Sequence, residues 1–160
     1  MTIRPLRSGD IAPLTTILRA TDVFSEEEIL IAVELMTAVT SDERQKDYVI
    51  FVTADDADCA VGYVCIGPTP ATAGTFDLYW IAVDPKRYGT GEAALLLRTA
   101  EEYITARNGT LIMVETSSTG KYERTRAFYC KNGYAELARI RQYYKPDDDL
   151  IIYGKYFSTI

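Results

Sequence analysis

The chain contains no histidine. That removes Ser-His-Asp and Cys-His nucleophile machinery and, with it, the commonest metal ligand. Its three cysteines, Cys59, Cys65 and Cys130, are an odd number without C-x-x-C spacing, which argues against a disulfide framework and more strongly against a metal site. No Gly-Lys-[Ser/Thr] occurs, so a P-loop is excluded. No apolar run approaches the roughly 20 residues of a membrane-spanning helix. The opening MTIRPLRSGD lacks the apolar core of a secretory leader, so a cytoplasmic protein is the default expectation. Internal repeats, low-complexity tracts and linkers are also missing. Any catalysis must draw on carboxylates, tyrosines, a thiol, lysines or the backbone.

At 160 residues, 48% apolar and 25% charged, the chain reads as one globular domain spanning 1–160 with a core of useful size. The formal net charge of −6 argues against nucleic acid as the main partner. The charge is uneven. Residues 1–116 carry 9 Lys+Arg against 18 Asp+Glu, and residues 117–160 carry 8 against 5. An acidic front half suits a cationic substrate, and equally a solvated surface.

The most informative stretch is Val83–Ile104. A β-rich run, Thr75–Val83, ends at Asp84-Pro85, and the turn Tyr88-Gly89-Thr90-Gly91-Glu92-Ala93 opens into an amphipathic helix. Such a strand–turn–helix leaves backbone N–H groups without intrahelical partners at the positive end of the helix dipole, which makes an anion site. Glycine permits close approach of a phosphate there. The expected ligand is a phosphorylated small molecule.

Around this centre the pattern alternates. A short strand covers Thr2–Pro5 and a helix covers Ile11–Ala20. Ser25 and Glu28 form a capping box that starts a helix to about Val39. Strands follow over Asp47–Thr53 and Ala60–Ile66, joined by a turn at Asp55–Asp58. After the glycine turn, Ala93, Leu97, Ala100 and Ile104 form one helical stripe that Asn108-Gly109 ends. Thr110–Glu115 is a buried strand, Tyr122–Lys131 a helix, and Ala135–Tyr143 with Leu150–Tyr156 a final strand pair joined by Lys145–Asp149. The expected fold is α/β (α+β): a mixed, mostly antiparallel sheet of about seven strands with four helices.

Gly89-x-Gly91-x-x-Ala94 matches the dinucleotide fingerprint, with Glu115 placed 21 residues after Ala94 as a ribose-binding acid would be. Against this reading, five residues separate strand from first glycine, and 45 residues after Glu115 are too few for the remaining βαβ units. The turn also resembles the pyrophosphate loop of the GNAT N-acetyltransferase superfamily. That family's V-x-P, then [QR]-x-x-G-x-[GA], falls on Pro85, Tyr88, Gly91 and Ala93, with Tyr88 in place of Gln or Arg and Arg87 one position earlier. Downstream, Phe128-Tyr129-Cys130-Lys131-Asn132-Gly133-Tyr134 matches a second family signature, although Tyr122 and Thr125 replace its Asn and Ala. The opening Ile3-Arg4 followed by Asp10 is similar to the family's start. The chain is similar to a GNAT subgroup of unassigned substrate.

The resemblance implies an acetyl-CoA-dependent acyltransferase in which the glycine-bearing strand splays from the next. Pantetheine then adds along the main chain of Ile81, Ala82 and Val83 like a strand. The N–H groups of Tyr88, Gly89, Thr90, Gly91, Glu92 and Ala93 would hold the pyrophosphate. Lys86, Arg87 and Lys121 would meet outer phosphates, and Tyr122 falls where the family contacts the pantetheine arm. Tyr129 falls on the family's proton-donating tyrosine. Asp77 and Glu115 are the alternative bases, each acting through water, with no metal involved. The acceptor is a small-molecule or peptide amine, and homodimerisation is an expectation of the resemblance alone. Two other functions are open to the sequence: a non-catalytic acyl-CoA sensor or partner module, and a dinucleotide-binding oxidoreductase.

Overall fold

The computed structural model describes residues 1–157. Seven strands form one sheet: β1 (Thr2–Pro5), β2 (Val49–Ala54), β3 (Ala60–Pro68), β4 (Thr75–Val83), β5 (Leu111–Ser117), β6 (Ala135–Lys145) and β7 (Asp148–Tyr156). Their order is β1-β2-β3-β4-β5-β7-β6. The helices are α1 (Ile11–Ala20), α2 (Glu26–Ser41), α3 (Glu92–Thr105) and α4 (Glu123–Lys131). The mixed, mostly antiparallel sheet with four helices agrees with the expectation from sequence. The β4–β5 pair is parallel, with Thr75, Phe76 and Asp77 opposite Leu111, Ile112 and Met113. This does not fit a doubly wound, dinucleotide-binding sheet, whose strands are mostly parallel.

Two compact units divide the chain, residues 1–67 with 79–103 and residues 68–78 with 104–160. In the first, α1 and α2 bury Leu14, Leu18, Ile29, Ala32 and Met36 in one cluster with Ile50, Val52, Tyr63, Cys65 and Ala82 of the strands. Leu14, Ile17 and Leu18 recur at helical spacing, which gives α1 its apolar face. The capping box read from sequence is present: Glu28 N–H donates to Ser25 Oγ at 3.2 Å and Ser25 N–H to Glu28 Oε2 at 2.8 Å.

The Ile3-Arg4…Asp10 motif has a mechanical reason. Arg4 donates from both terminal nitrogens to the Asp10 carboxylate, at 2.7 and 3.0 Å, and from Nε to Asp58 at 2.7 Å. One guanidinium thereby ties β1, the turn before α1 and the β2–β3 turn. Burial pushes the Asp10 carboxyl up, but the Arg4 bonds and the Arg7 amide outweigh it and hold the group below its ordinary range. A carboxylate with a depressed folded-state pKa contributes stability above its unfolded pKa and loses it as pH falls through the folded one. Asp10→Asn should therefore lower stability at pH 7 by about 3 kcal/mol, the order seen on breaking a buried pair. In thermal melts the gap from wild type should narrow below pH 4.

Gly67, next to last in β3, meets the main chain just ahead of β2. A Cβ there would lie 2.0 Å from the carbonyl oxygen of Asp47, which is backbone and cannot swing aside. Gly67→Ala should destabilise by about 2–3 kcal/mol, read as a drop in urea midpoint at unchanged slope.

In the second unit, β7 lies between β5 and β6, antiparallel to both. From sequence, Lys145–Asp149 reads as a connecting loop. Here β6 runs to Lys145 and β7 begins at Asp148, leaving the two-residue turn Pro146-Asp147 with Asp147 at φ 61°. Side-chain bonding explains the longer strands. Asp148 is buried and accepts from Ser117 Oγ, while Asp149 accepts from the Gln142 amide and from Arg139. Every residue of β6 is solvent-exposed.

Candidate active site

The glycine turn lies wholly in the first unit. Asp84 N–H is anchored to Val61 O on β3 at 2.8 Å, and its carboxylate caps Lys86 N–H at 3.0 Å. Pro85–Arg87 then forms one 3₁₀ turn, with Arg87 N–H on Asp84 O and Tyr88 N–H on Pro85 O. Thr90 turns back on Arg87 O, with its N–H at 3.3 Å and its hydroxyl at 2.8 Å. Intrahelical bonding resumes with Leu95 N–H to Gly91 O at 3.0 Å. Among the described residues, the amides of Gly89, Gly91, Glu92, Ala93 and Ala94 meet no protein acceptor.

Five open donors at the start of a 14-residue helix form an anion cradle, because unsatisfied N–H groups and the helix dipole favour the same charge. Both glycines are required by the backbone: φ is +82° at Gly89 and +84° at Gly91, a region where side-chain-bearing residues are disfavoured. A Cβ on either would meet nothing within 4 Å. The turn is therefore open in front, with Gly89, Thr90 and Gly91 all exposed.

Of the residues picked from sequence, Ile81, Ala82 and Val83 close β4, half-buried, buried and buried. The inside–outside alternation that holds over Thr75–Leu78 lapses at Tyr79–Ile81, all half-buried. Lys86 and Tyr88 are exposed. Arg87 is engaged: its Nε donates to Glu92 Oε2 at 2.7 Å. The Glu92 side chain has 0% exposure, and its second oxygen meets no partner among the described residues. Sequence reasoning missed this carboxylate's burial and the Ala94 amide. A glutamate in a helix's first turn ordinarily reads as a solvated acid stabilised by the dipole.

The second unit holds the other picked residues. Asp77, half-buried on β4, accepts the Thr69 hydroxyl at 2.6 Å. Met113 lies opposite it on β5 and Glu115 follows two residues on, so the three share a face. Glu115 is exposed. Lys121 is exposed and Tyr122 half-buried, just ahead of α4.

Tyr129, 1% exposed, packs edge-on against Phe128, tilted against Tyr134 and stacked on Tyr153. Burial first, and then the neighbouring Tyr122, pushes its hydroxyl well above the ordinary phenol value. The group is protonated throughout the working range. The structure thus places Tyr122 beside Tyr129 and Asp77 on one face with Glu115. No helix of the described residues is long and apolar enough to cross a membrane.

The family model described as an acetyltransferase (GNAT) domain matches residues 46–136. A crystal structure of a protein from Desulfovibrio desulfuricans, described as a GNAT-family acetyltransferase, is 35% identical with a TM-score of 0.90. It aligns over 97% of this chain and 98% of its own. An aminoglycoside 6'-N-acetyltransferase complexed with coenzyme A shares 18% identity with a TM-score of 0.77, over 100% of this chain and 99% of that one. The ribosomal-protein-S18-alanine N-acetyltransferase from Escherichia coli shares 19% with a TM-score of 0.76, over 99% and 95%. At these lower identities the likeness concerns the fold. No curated protein sequence matches the chain.

Proposed function

The chain belongs to the GNAT family of acetyltransferases and is an acyltransferase by class, and from that premise we propose that it moves an acetyl group from acetyl-CoA directly to a primary amine. The observation that carries the choice of donor is the cradle of five open amides on a turn with two left-handed glycines. Its donor set suits a diphosphate, and the open space in front of both glycines accommodates one. Family membership and the mostly antiparallel sheet set the dinucleotide-oxidoreductase alternative aside. The match over nearly the whole chain supports reading 1–160 as one acetyltransferase domain.

When bound, acetyl-CoA supplies the activated thioester. The chain's own residues do the rest. The backbone of Ile81, Ala82 and Val83, beyond the last β4–β5 pair at Asp77, is assigned to the amides of the pantetheine arm by strand-like addition. The amides of Gly89 and Gly91–Ala94 take the diphosphate, while Tyr88 and Thr90 shape the turn. Exposed Lys86 and Lys121 are the cations proposed for outer phosphates, and Tyr122 is proposed to line the arm.

The amine must lose a proton to attack. Glu115, exposed, and Asp77, with the Thr69 hydroxyl on one oxygen, are the proposed acceptors through water. Tyr129 is the proposed donor to the departing sulfur. A phenol raised above its ordinary value is a weaker acid than an alkyl thiol near 8.5. Tyr129 therefore acts by hydrogen bonding to the developing thiolate, and protonation is completed from solvent.

Aminoglycosides and a ribosomal-protein alanine are acceptors named for proteins of this fold. For this chain the acceptor class is an amine on a small molecule or peptide. Calorimetric titration with acetyl-CoA and with NAD(H), followed by CoA release across an amine panel, tests the proposal. Saturable acetyl-CoA binding with turnover on at least one amine is expected. Binding without turnover on any acceptor would favour an acyl-CoA sensor, and no binding would remove the assignment.

A further inference from the structure

We propose that the Arg87–Glu92 ion pair is a brace that sets the diphosphate cradle, with Glu92 as a positioning residue; this rests on the acyl-CoA reading of the turn. Glu92 is the first residue of α3 and its carboxylate has 0% exposure. A lone buried carboxylate is strongly unfavourable, so its one partner matters. That partner is Arg87, whose Nε lies 2.7 Å from Oε2, while Oε1 has none among the described residues.

Arg87 is also the hub of the preceding turn. Its N–H reaches Asp84 O, and its carbonyl accepts both the amide and the hydroxyl of Thr90. The side-chain bridge therefore joins the strand side of the turn to the first residue of the helix. Between residues 87 and 92 lie Gly89 and Gly91, the two positions of the turn with left-handed backbone. Those are the points at which the turn is free to pivot. Fixing both ends across them fixes the direction of the five open amides.

The pairing has a second consequence. Glu92 neutralises the guanidinium, so Arg87 acts on the diphosphate through the cradle's geometry rather than as a free cation. Phosphate recognition then falls to the amides.

The test compares wild type, Glu92→Met and Glu92→Gln by calorimetry with two probes. One is acetyl-CoA. The other is S-acetylpantetheine, which has the same arm and thioester but no diphosphate. Methionine fills the volume and leaves partly exposed Arg87 able to reach water, so the fold survives; Arg87→Ala would instead strand the buried carboxylate. Loss of a charged hydrogen bond should raise the acetyl-CoA Kd of Glu92→Met about tenfold or more. Glu92→Gln, which retains an acceptor for Arg87, should stay within about threefold of wild type on the same argument. Neither should change S-acetylpantetheine binding.

Equal or tighter acetyl-CoA binding by Glu92→Met overturns the brace. Equal losses on both probes also overturn it, because the effect would then be general and not a matter of diphosphate positioning. If wild type itself fails to bind acetyl-CoA, the donor assignment falls and takes the brace with it.

Discussion

Tyr129→Phe is expected to lower kcat about 100-fold, the scale on which a hydrogen-bond donor positioned at developing negative charge contributes, with the KM for acetyl-CoA nearly unchanged. Phenylalanine keeps the ring that packs on Phe128, Tyr134 and Tyr153. It removes the hydroxyl alone, and stability should fall by no more than about 1–2 kcal/mol, the scale of one lost hydrogen bond. The split between kcat and KM is therefore diagnostic. A packing role would lower the melting temperature and leave kcat alone, whereas a role at the leaving sulfur does the reverse.

The pH profile adds a second readout. Burial and Tyr122 raise the Tyr129 hydroxyl above the ordinary phenol value, so the proton stays in place across the physiological range. The rate should rise with pH as the acceptor amine loses its proton. No falling limb from Tyr129 should appear below about pH 10, the ordinary phenol value. Steady-state kinetics on the best amine from the panel check both points. A loss in kcat smaller than about threefold would remove Tyr129 from the chemistry, since a positioned hydrogen-bond donor to developing charge contributes far more.

Gly91→Val should weaken acetyl-CoA binding about 100-fold or more, because a β-branched residue is a steric outlier at positive φ. The surrounding protein is not the obstacle: a Cβ at Gly91 meets no atom within 4 Å. Two effects remain. Valine disfavours φ +84° and turns the neighbouring amides away, and its methyl groups occupy the space assigned to the diphosphate. Folding stability should fall by only about 1–2 kcal/mol, the penalty for one side-chain-bearing residue in the left-handed region. Gly9→Ala is the matched control. Gly9 also has open space around it, without positive φ, so this variant should bind like wild type. If Gly91→Val binds acetyl-CoA normally in calorimetry, the turn does not hold the diphosphate.

Much of the fold was legible in the sequence because its signals are local. The Ser25–Glu28 box, the β-branched and aromatic run Thr75–Val83 and the stripe Leu97, Ala100, Ile104 each follow from short-range periodicity or capping. The Arg4…Asp10 motif was visible as a pattern, but its reason was not. Asp58, the third member, comes from another part of the chain and is brought in only when the β2–β3 turn folds.

The cradle was partly legible for the same reason. Two glycines after a strand imply open amides. Which amides remain open depends on the 3₁₀ turn at Pro85–Arg87 and on Thr90 folding back, which engage Tyr88 and Thr90 and leave Ala94 available. Glu92 shows the limit most sharply. Its carboxylate is paired by a side chain five residues earlier. Periodicity over α3 sets Glu92 beside the buried stripe, four residues before Leu96, but does not show the partner that a buried carboxylate needs. The same holds for Asp148, which reads as one of three turn acids and is instead buried against Ser117.

If the open amides of the turn converge on the diphosphate of coenzyme A, an amide ¹⁵N–¹H NMR titration with acetyl-CoA reports it residue by residue. Gly89, Gly91, Glu92, Ala93 and Ala94 should show the largest shifts, moving downfield as each gains an acceptor, with S-acetylpantetheine leaving them in place. Saturable acetyl-CoA binding that leaves those five resonances unmoved would place the diphosphate elsewhere.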